Sequence, residues 1–351
     1  MVSPRELVQP FLTNRLGFPR VDWEGATVAF GENGALSSTA RDQLVEGWLG
    51  HVVEARGPSA RWTRDDHFHL VELPVDDRAQ HALRWAHEIR ASVLRRLDGI
   101  ARALSTPLPM LLFVEEADYV DYHVDFMADL PDAEIASSGG MFLDVGCPHI
   151  AAPLGTQLES VLAHELTHAL VHHLPLPVWL NEGFAVAMQE QWTGFGWPLT
   201  TETIADHRRL WNQSSIQRFW SGQAFHEPAL QQVAYQLANV LVTRLAGNYD
   251  RLRRFATAAT VEDAGASAFA SIYGEDVRHL LEPLLGRGPW QPDPTQWEGA
   301  SIRPWRASGR EGSLVSELVT PGYRRMGGAG ECRGGDWMPG SIGVASRGFA
   351  Q

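Results

Sequence analysis

Residues 164–168 read His-Glu-Leu-Thr-His, a spacing of side chains that can bind and use a metal ion. On a helix, residues four apart lie on one face, about 6 Å from each other along the axis. The imidazoles of His164 and His168 can therefore converge on one zinc ion at about 2.1 Å each. Glu165 points past the metal, where it can take a proton from a zinc-bound water. The motif predicts one Zn²⁺ per chain and hydrolytic chemistry.

A catalytic zinc site needs a third protein ligand and one open position. Glu182, in the segment Asn-Glu-Gly-Phe-Ala at 181–185, brings a carboxylate close behind the motif. Pro175 and Pro177 lie between the two and end the first helix, so that a second helix can fold back against it. We therefore predict that Glu182 is the third ligand. The alternative interpretation is that this carboxylate only stabilises a helix N-terminus.

Other histidines compete for the metal. His172 follows His168 by four residues and continues the same helical stripe, but about 12 Å of helix separates it from His164, too far for one zinc ion. We expect His172 and His173 to support the ligands or to be solvated. Two further histidines are expected in turns or at the surface, with a place in the cleft as the alternative: His149 and His226.

The helices that must position these ligands can be located from apolar periodicity. The pattern predicts one helix from 157 to about 173 and a second from 178 to 191. The stretch 192–227 is rich in turn residues and aromatics. A third long helix is predicted from Pro228, a residue suited to a first turn, to about Ala246, with shorter helices continuing to 285.

The chain upstream of the motif mixes helical and strand patterns. Helical spacing of apolar residues predicts helices at 41–54 and 77–104 and a short one at 119–126. Short apolar runs between turn residues predict buried strands. These predicted strands cover residues 67–75, 108–115 and 141–145.

Composition narrows the classes of partner. The net charge of −13 argues against nucleic-acid binding, which needs a basic face. The sequence contains no run of 18 apolar residues, so no membrane span is predicted. Residues 1–20 lack the apolar core of a secretory signal. We therefore expect a cytoplasmic protein. The two cysteines, Cys147 and Cys332, are too few and too far apart for a disulfide framework or a metal pattern.

The last 65 residues differ in composition from the rest. They contain 13 of the 33 glycines and few aliphatic runs, so they cannot bury enough apolar surface to offset their ordering entropy. We predict that 287–351 is a largely disordered tail. The alternative is that its tryptophans dock on the body of the protein or on a partner.

The motif residues resemble those of gluzincins, zinc peptidases such as thermolysin and aminopeptidase N. The segment Trp-Leu-Asn-Glu-Gly-Phe-Ala at 179–185 is similar to the third-ligand motif of aminopeptidase N-like enzymes, and the short spacing from His168 to Glu182 is more similar to the bacterial peptidase MA-like group. The resemblance is specific at 157–190 and implies an α+β fold. It would comprise a zincin-like catalytic region with a small mixed sheet and an active-site helix, then a mainly helical C-terminal subdomain.

On this resemblance we expect four parts of the chain. They are an N-terminal segment of unclear role at 1–64, the zincin-like region at 65–191, the helical subdomain at 192–286 and the tail at 287–351.

The resemblance also implies how a substrate would bind. The strand that includes Gly140, Met141 and Phe142 would be the sheet edge that pairs with an extended peptide. Aminopeptidases of the family carry a glutamate directly after the methionine that corresponds to Met141, and this glutamate binds the free amine of the substrate. Phe142 occupies that position here, which favours an endopeptidase. Thermolysin-like enzymes place an Asp four residues after the ligand Glu to orient a zinc histidine. Here that position is Val186, which leaves the orienting partner open.

A tetrahedral intermediate needs a hydrogen-bond donor besides the metal. Gluzincins use a Tyr or His from a helix after the ligand Glu, and Tyr235 stands early in the predicted third helix. His226 and Tyr249 are its rivals, and a plain core tyrosine is the alternative. The sequence thus predicts a zinc metallopeptidase acting on a peptide or protein, with a non-catalytic zincin-fold binding module and a coincidental motif as alternatives.

Overall fold

The computed structural model describes residues 2–32, 34–124, 126 and 138–297. Strands in these residues are Leu12–Arg15 (β1), Phe18–Val21 (β2), Arg61–Arg64 (β3), Phe68–Leu73 (β4), Leu108–Phe113 (β5), Met141–Asp144 (β6) and Pro148–Pro153 (β7). Helices of the first half are Pro4–Val8 (α1), Trp23–Phe30 (α2), Ser38–Arg56 (α3), Ala82–Arg96 (α4) and Glu116–His123 (α5). Helices of the second half are Leu158–Val171 (α6), Val178–Thr193 (α7), Thr201–Leu210 (α8), Ser215–Ser221 (α9), Gln231–Ala246 (α10), Tyr249–Ala258 (α11), Ala266–Tyr273 (α12) and Glu282–Leu285 (α13).

Within the described residues, five strands form one mixed sheet in the order β3-β4-β5-β7-β6. Strands β4, β5 and β7 are parallel, and the outer strands β3 and β6 pair antiparallel with their neighbours. The connection from β4 to β5 contains helix α4, as a parallel crossover requires. The expectation of a mixed α and β fold with a small mixed sheet is confirmed.

The sheet is buried on both faces, which explains why its central strands read as continuous apolar runs. Alternate residues such as Met110 and Ile150 face helices α4 and α6. Their neighbours, such as Leu111 and Ala151, face helices α3 and α5. Helix α6 therefore lies on one face of the sheet, and α3 and α5 lie on the other.

The N-terminal residues contribute directly to this architecture. Strand β3 lies in the predicted N-terminal segment and pairs with β4 from Arg61 opposite Glu72 to Arg64 opposite His69. Helix α3 buries Leu44, Trp48 and neighbouring residues in the core on the far face of the sheet. The segment 1–64 thus supplies an edge strand and a covering helix.

Two predicted elements need correction. The helix expected at 77–104 is shorter, because 77–81 forms a 3-10 turn and α4 ends at Arg96, shortly before Gly99 with its φ of +76°. The stretch expected to be turn-rich, 192–227, contains helices α8 and α9. The side chain of Thr200 caps α8, and Thr203 returns the bond, so capping residues mark a helix that the apolar pattern did not reveal.

The prediction of a tail beginning at 287 is wrong for residues 287–297. Trp290 and Trp297 are buried against the helical half of the molecule. The indole of Trp297 donates to Gln217 on α9, and the indole of Trp220 donates to the carbonyl of Trp290. The docking that was the alternative holds for this part. The rest of the predicted tail lies outside the described residues.

Among the described residues, no helix is both long and apolar enough to cross a bilayer.

Candidate metal centre

Helices α6 and α7 lie against each other and carry the predicted ligands. Residues 158–171 of α6 are buried on nearly every side, which explains their weakly amphipathic sequence. Helix α7 begins after Pro177, whose carbonyl accepts the amides of Leu180 and Asn181. Glu182 is in the second turn of α7, and the first turn holds no acidic residue. The helix-dipole interpretation of Glu182 therefore has no support, because the dipole acts within the first turn.

The three predicted ligands converge in the structure. The Nε2 atom of His164 lies 3.3 Å from Oε2 of Glu182, and that of His168 lies 3.5 Å from the same oxygen. Possible ligand atoms of the three residues all lie within 4.8 Å of one another, and all three side chains are buried. The helix-period argument thus placed the histidines correctly, and the fold brings in the carboxylate.

The polar atoms at this centre fit a divalent metal ion. His164 Nε2 and Glu182 Oε2 are buried and form no hydrogen bond within the described residues. Such atoms are rare in folded proteins, because leaving a buried polar group unsatisfied costs free energy. Two imidazoles and one carboxylate make a donor set suited to a divalent cation such as zinc. This group could hold a metal ion.

Two amide side chains orient the histidines, and the sequence reading did not identify them. Nδ1 of His164 bonds Oε1 of Gln189 at 3.1 Å, and Nδ1 of His168 bonds Oδ1 of Asn181 at 3.1 Å. An amide oxygen only accepts, so each imidazole donates from Nδ1 and keeps the lone pair on Nε2. Position 186, where thermolysin-like enzymes carry the orienting Asp, is a buried Val. Helical spacing places Gln189 on the same face of α7 as Glu182, two turns later, but does not show that its partner is His164.

Glu165 is fully buried next to the ligands. Its Oε2 accepts the backbone amide of Phe142 at 2.7 Å, whereas Oε1 has no hydrogen bond within the described residues. The strand β6 therefore fixes one oxygen of the carboxylate and leaves the other to interact with a reactant.

Burial and neighbouring charges move the pKa values of this group apart. Burial, with the charge of Glu182, raises the pKa of the Glu165 carboxyl to about 8, although His168 and the Phe142 amide oppose the rise. Burial also acts to raise the pKa of Glu182, but His168 and His164 outweigh it and lower that pKa to about 2. Burial lowers the pKa of His164, while the pKa of His168 is raised because Glu182 outweighs burial. Without a metal, burial thus favours the protonated form of Glu165, and the charge of Glu182 favours the protonated form of His168.

The residues predicted to bind substrate lie at the edge of the sheet. Strand β6 pairs only with β7 in the described sheet, with Phe142 opposite Ile150. The side chains of Met141 and Phe142 are buried in the two cores, so only the backbone of this strand could meet a ligand. Gly140 is packed closely, since a Cβ there would lie 2.4 Å from Val161 of α6.

Both predicted donor residues lie near the centre. Tyr235, on α10, is buried, with its ring 6.3 Å from that of His164 and 5.2 Å from that of Phe225. His226 is solvent-accessible, yet surrounding protein lowers its pKa and the charge of Glu182 acts to raise it. His226 lies in a turn and is exposed, as expected for a turn histidine, and it is close enough to Glu182 to feel its charge. Tyr249 is a poor candidate for the hydrogen-bond donor, because its hydroxyl donates to the carbonyl of Asp98.

Two other histidines differ from the metal ligands. His172 is half-buried, bonds the carbonyl of Ala169 through Nδ1 and stands 5.8 Å from the ring of Phe142. His149, expected in a turn or at the surface, is instead buried in β7, where Nε2 bonds the Tyr122 hydroxyl at 2.7 Å. This expectation failed because the alternation along a short strand does not show which faces are covered.

Comparisons with known proteins identify no family for the chain. No protein-family model matches it, and no curated protein matches it. The similarity to gluzincins therefore stays a prediction that rests on the residues at 164–168 and 179–185.

Proposed function

We propose that this protein is a zinc-dependent metallopeptidase, and specifically an endopeptidase. The observation that carries the proposal is the buried group of His164, His168 and Glu182 with the carboxylate of Glu165 beside it. Metal binding alone does not require Glu165, whereas hydrolysis requires a base at this position.

Each residue has a distinct role in this proposal. His164, His168 and Glu182 would hold the ion, which when bound acts as a Lewis acid and lowers the pKa of water toward 7. Glu165 accepts the proton of the attacking water at Oε1, while its Oε2 stays bonded to the Phe142 amide. Glu165 then gives that proton to the leaving amine. Tyr235 or His226 would donate a hydrogen bond to the oxygen that becomes negative.

The edge strand β6 supports a peptide as the substrate class. An edge strand can add an extended peptide through backbone hydrogen bonds, and at β6 the Phe142 amide is already used by Glu165. The absence of a glutamate at position 142 leaves no carboxylate there to hold a free amine, which favours cleavage within a chain.

A second candidate is a zinc-binding module that does not turn over substrate. It is favoured by the burial of the reactive atoms, since Glu165 Oε1 and Glu182 Oε2 have almost no solvent contact. Hydrolysis would then require the described residues around these atoms to open.

Cleavage of an unfolded protein substrate by the zinc-loaded protein separates the two candidates. We expect hydrolysis that a chelator abolishes and added zinc restores. Glu165→Gln should keep its zinc and lose activity by about 10²-fold or more, because it removes the base and not a ligand. Glu202→Gln, at an exposed position on α8, is the matched control. Equal cleavage by the Glu165→Gln protein would overturn the mechanism, and bound zinc without cleavage would favour the module.

Zinc content tests the ligand assignment independently of activity. The wild-type protein should bind about one zinc per chain, and Glu182→Ala should lose most of it. Full occupancy in that variant would rule out Glu182 as the third ligand.

A further inference from the structure

Gln189 connects the metal-site histidine His164 to a serine one turn earlier on α6. Its Oε1 lies 3.1 Å from Nδ1 of His164, and its Nε2 donates to Oγ of Ser160 at 2.8 Å. Ser160 and His164 are four residues apart and so share a face of α6. Gln189 and Glu182 are seven residues apart and so share a face of α7. The side chain thus spans two helices at the metal centre.

In the structure the oxygen of the Gln189 amide faces His164 and its nitrogen faces Ser160. The nitrogen of an amide only donates and the oxygen only accepts. With the amide in this orientation, Nδ1 of His164 carries a hydrogen. The tautomer that remains has its lone pair on Nε2, the atom that faces Glu182.

A further bond holds the same ends of the two helices together. The indole of Trp192, three residues after Gln189, donates to Glu159 next to Ser160 at 2.8 Å. Helix α7 is therefore joined to the first turn of α6 by two side-chain contacts, those of Gln189 and Trp192. Such anchoring fixes the position of the amide and limits the rotation of His164.

We propose that Gln189 is the positioning residue of His164 and that its neutrality sets how tightly the metal is held. The inference rests on the proposed zinc site. An imidazole whose N–H meets a carboxylate is more basic and a stronger ligand than one whose N–H meets an amide. Asn181 gives His168 the same kind of neutral partner. Both zinc histidines are thus oriented without added negative charge, and Glu182 is the anionic member of the ligand set.

The proposal predicts opposite effects for two substitutions at one position. Gln189→Leu removes the acceptor and should weaken zinc binding about 10- to 100-fold. Gln189→Glu keeps the length of the side chain and should tighten zinc binding several-fold. The new carboxylate is half-buried and would find two donors, the His164 N–H and the Ser160 hydroxyl. Gln191→Leu, on the exposed side of the same helix, is the matched control and should leave affinity unchanged.

Two measurements test it. Competition with a chromogenic chelator gives the zinc dissociation constants, and nitrogen NMR of the metal-free protein gives the tautomer of His164. We expect the Nδ1–H form in wild type and a mixture in Gln189→Leu. Ser160→Ala should weaken binding only while Gln189 is present, because the serine acts through that amide.

The outcomes also separate this inference from the proposed function. If the tautomer changes as expected but wild type binds no zinc, the zinc peptidase proposal fails and the positioning role stands. The positioning role is overturned if wild type, Gln189→Leu and Gln189→Glu bind zinc with equal affinity. It is also overturned if His164 has the same tautomer in Gln189→Leu as in wild type.

Discussion

At the scale of single residues, the centre combines groups with opposite requirements in one small buried volume. Two histidines must present lone pairs, one carboxylate must be charged, and Glu165 must exchange a proton. The two carboxyl pKa values differ because burial dominates at Glu165 and raises its pKa, whereas His168 and His164 outweigh burial at Glu182 and lower its pKa. A pair of carboxylates whose environments push their pKa values apart is typical of acid–base sites.

The oxyanion donor can be identified by two substitutions. Tyr235→Phe removes only the hydroxyl, so the packing against Phe225 should survive. If Tyr235 is the donor, turnover should fall about a hundredfold while zinc content and stability stay as in wild type. Steady-state kinetics with zinc analysis measures this. Unchanged turnover in Tyr235→Phe together with lost turnover in His226→Ala would assign the donor to His226.

The buried His149 should make the protein sensitive to acid. Burial lowers its pKa to about 4, with the cation of Arg20 also lowering it. In the unfolded chain a histidine has a pKa near 6.5, so between about pH 6.5 and 4 the unfolded state binds the extra proton. The free energy of unfolding is therefore highest above this window and falls as the pH falls through it, by about 3 kcal/mol for this residue.

Urea unfolding at several pH values checks this effect. His149→Gln should be less stable than wild type at pH 7, because a core contact is lost, but its stability should decline less between pH 6.5 and 4. His81→Gln, at an exposed position, is the control and should keep the wild-type pH dependence. A wild-type slope in His149→Gln would contradict the assignment.

At the scale of elements, helices α7 and α10 approach each other closely at Gly183, the residue after Glu182. Gly183 makes the approach possible: a Cβ there would lie 2.5 Å from Val242 Cγ2 and 2.7 Å from the carbonyl oxygen of Ala238. The second distance involves backbone, which cannot move without the whole helix. The glycine that follows the ligand glutamate is thus explained by packing.

Gly183→Ala should push the two helices apart. We expect a loss of about 1–3 kcal/mol in the free energy of unfolding, as for other overpacked core sites. The displacement should also weaken zinc binding, because the neighbouring residue is the proposed ligand Glu182. Chemical denaturation and zinc titration measure the two effects. Gly194→Ala serves as the comparison. A Cβ at Gly194 would meet open space, but its φ is +71°, so this variant introduces backbone strain without steric overlap.

At the scale of the whole molecule, the chain after α13 contributes to the core of the helical half. Trp290 and Trp297 are buried, and Gln217 bonds the backbone of Gln291 and Asp293 as well as the Trp297 indole. These contacts connect the segment to α9, close to Trp220 and the start of α7.

Two truncations should therefore differ in stability. Ending the chain after residue 286 removes two buried tryptophans, each contributing about 3 kcal/mol, and should lower the melting temperature by at least about 5 °C. Ending it after residue 297 keeps every described contact, and the Gly-rich composition beyond predicts little change. Calorimetry of both proteins measures the difference, and equal melting temperatures would contradict it.

The sequence by itself determined the features that depend on local geometry. The i, i+4 spacing placed His164 and His168 on one helix face, and Pro175 and Pro177 separated that helix from the one carrying Glu182. The strands β4, β5 and β6 were located to within two residues, because short apolar runs between turn residues are a local signal.

Only the tertiary structure decided which distant residues meet. The bond from Gln189 to His164 joins two different helices. The position of β6 at the sheet edge and the burial of His149 and Trp297 likewise depend on how separate segments pack together. Hydrophobic periodicity shows that a face is apolar but not which surface covers it. A polar side chain such as Gln189 carries no periodic signal of its partner. Its role as a positioning residue follows from the packing of α7 on α6, a contact that the whole fold determines.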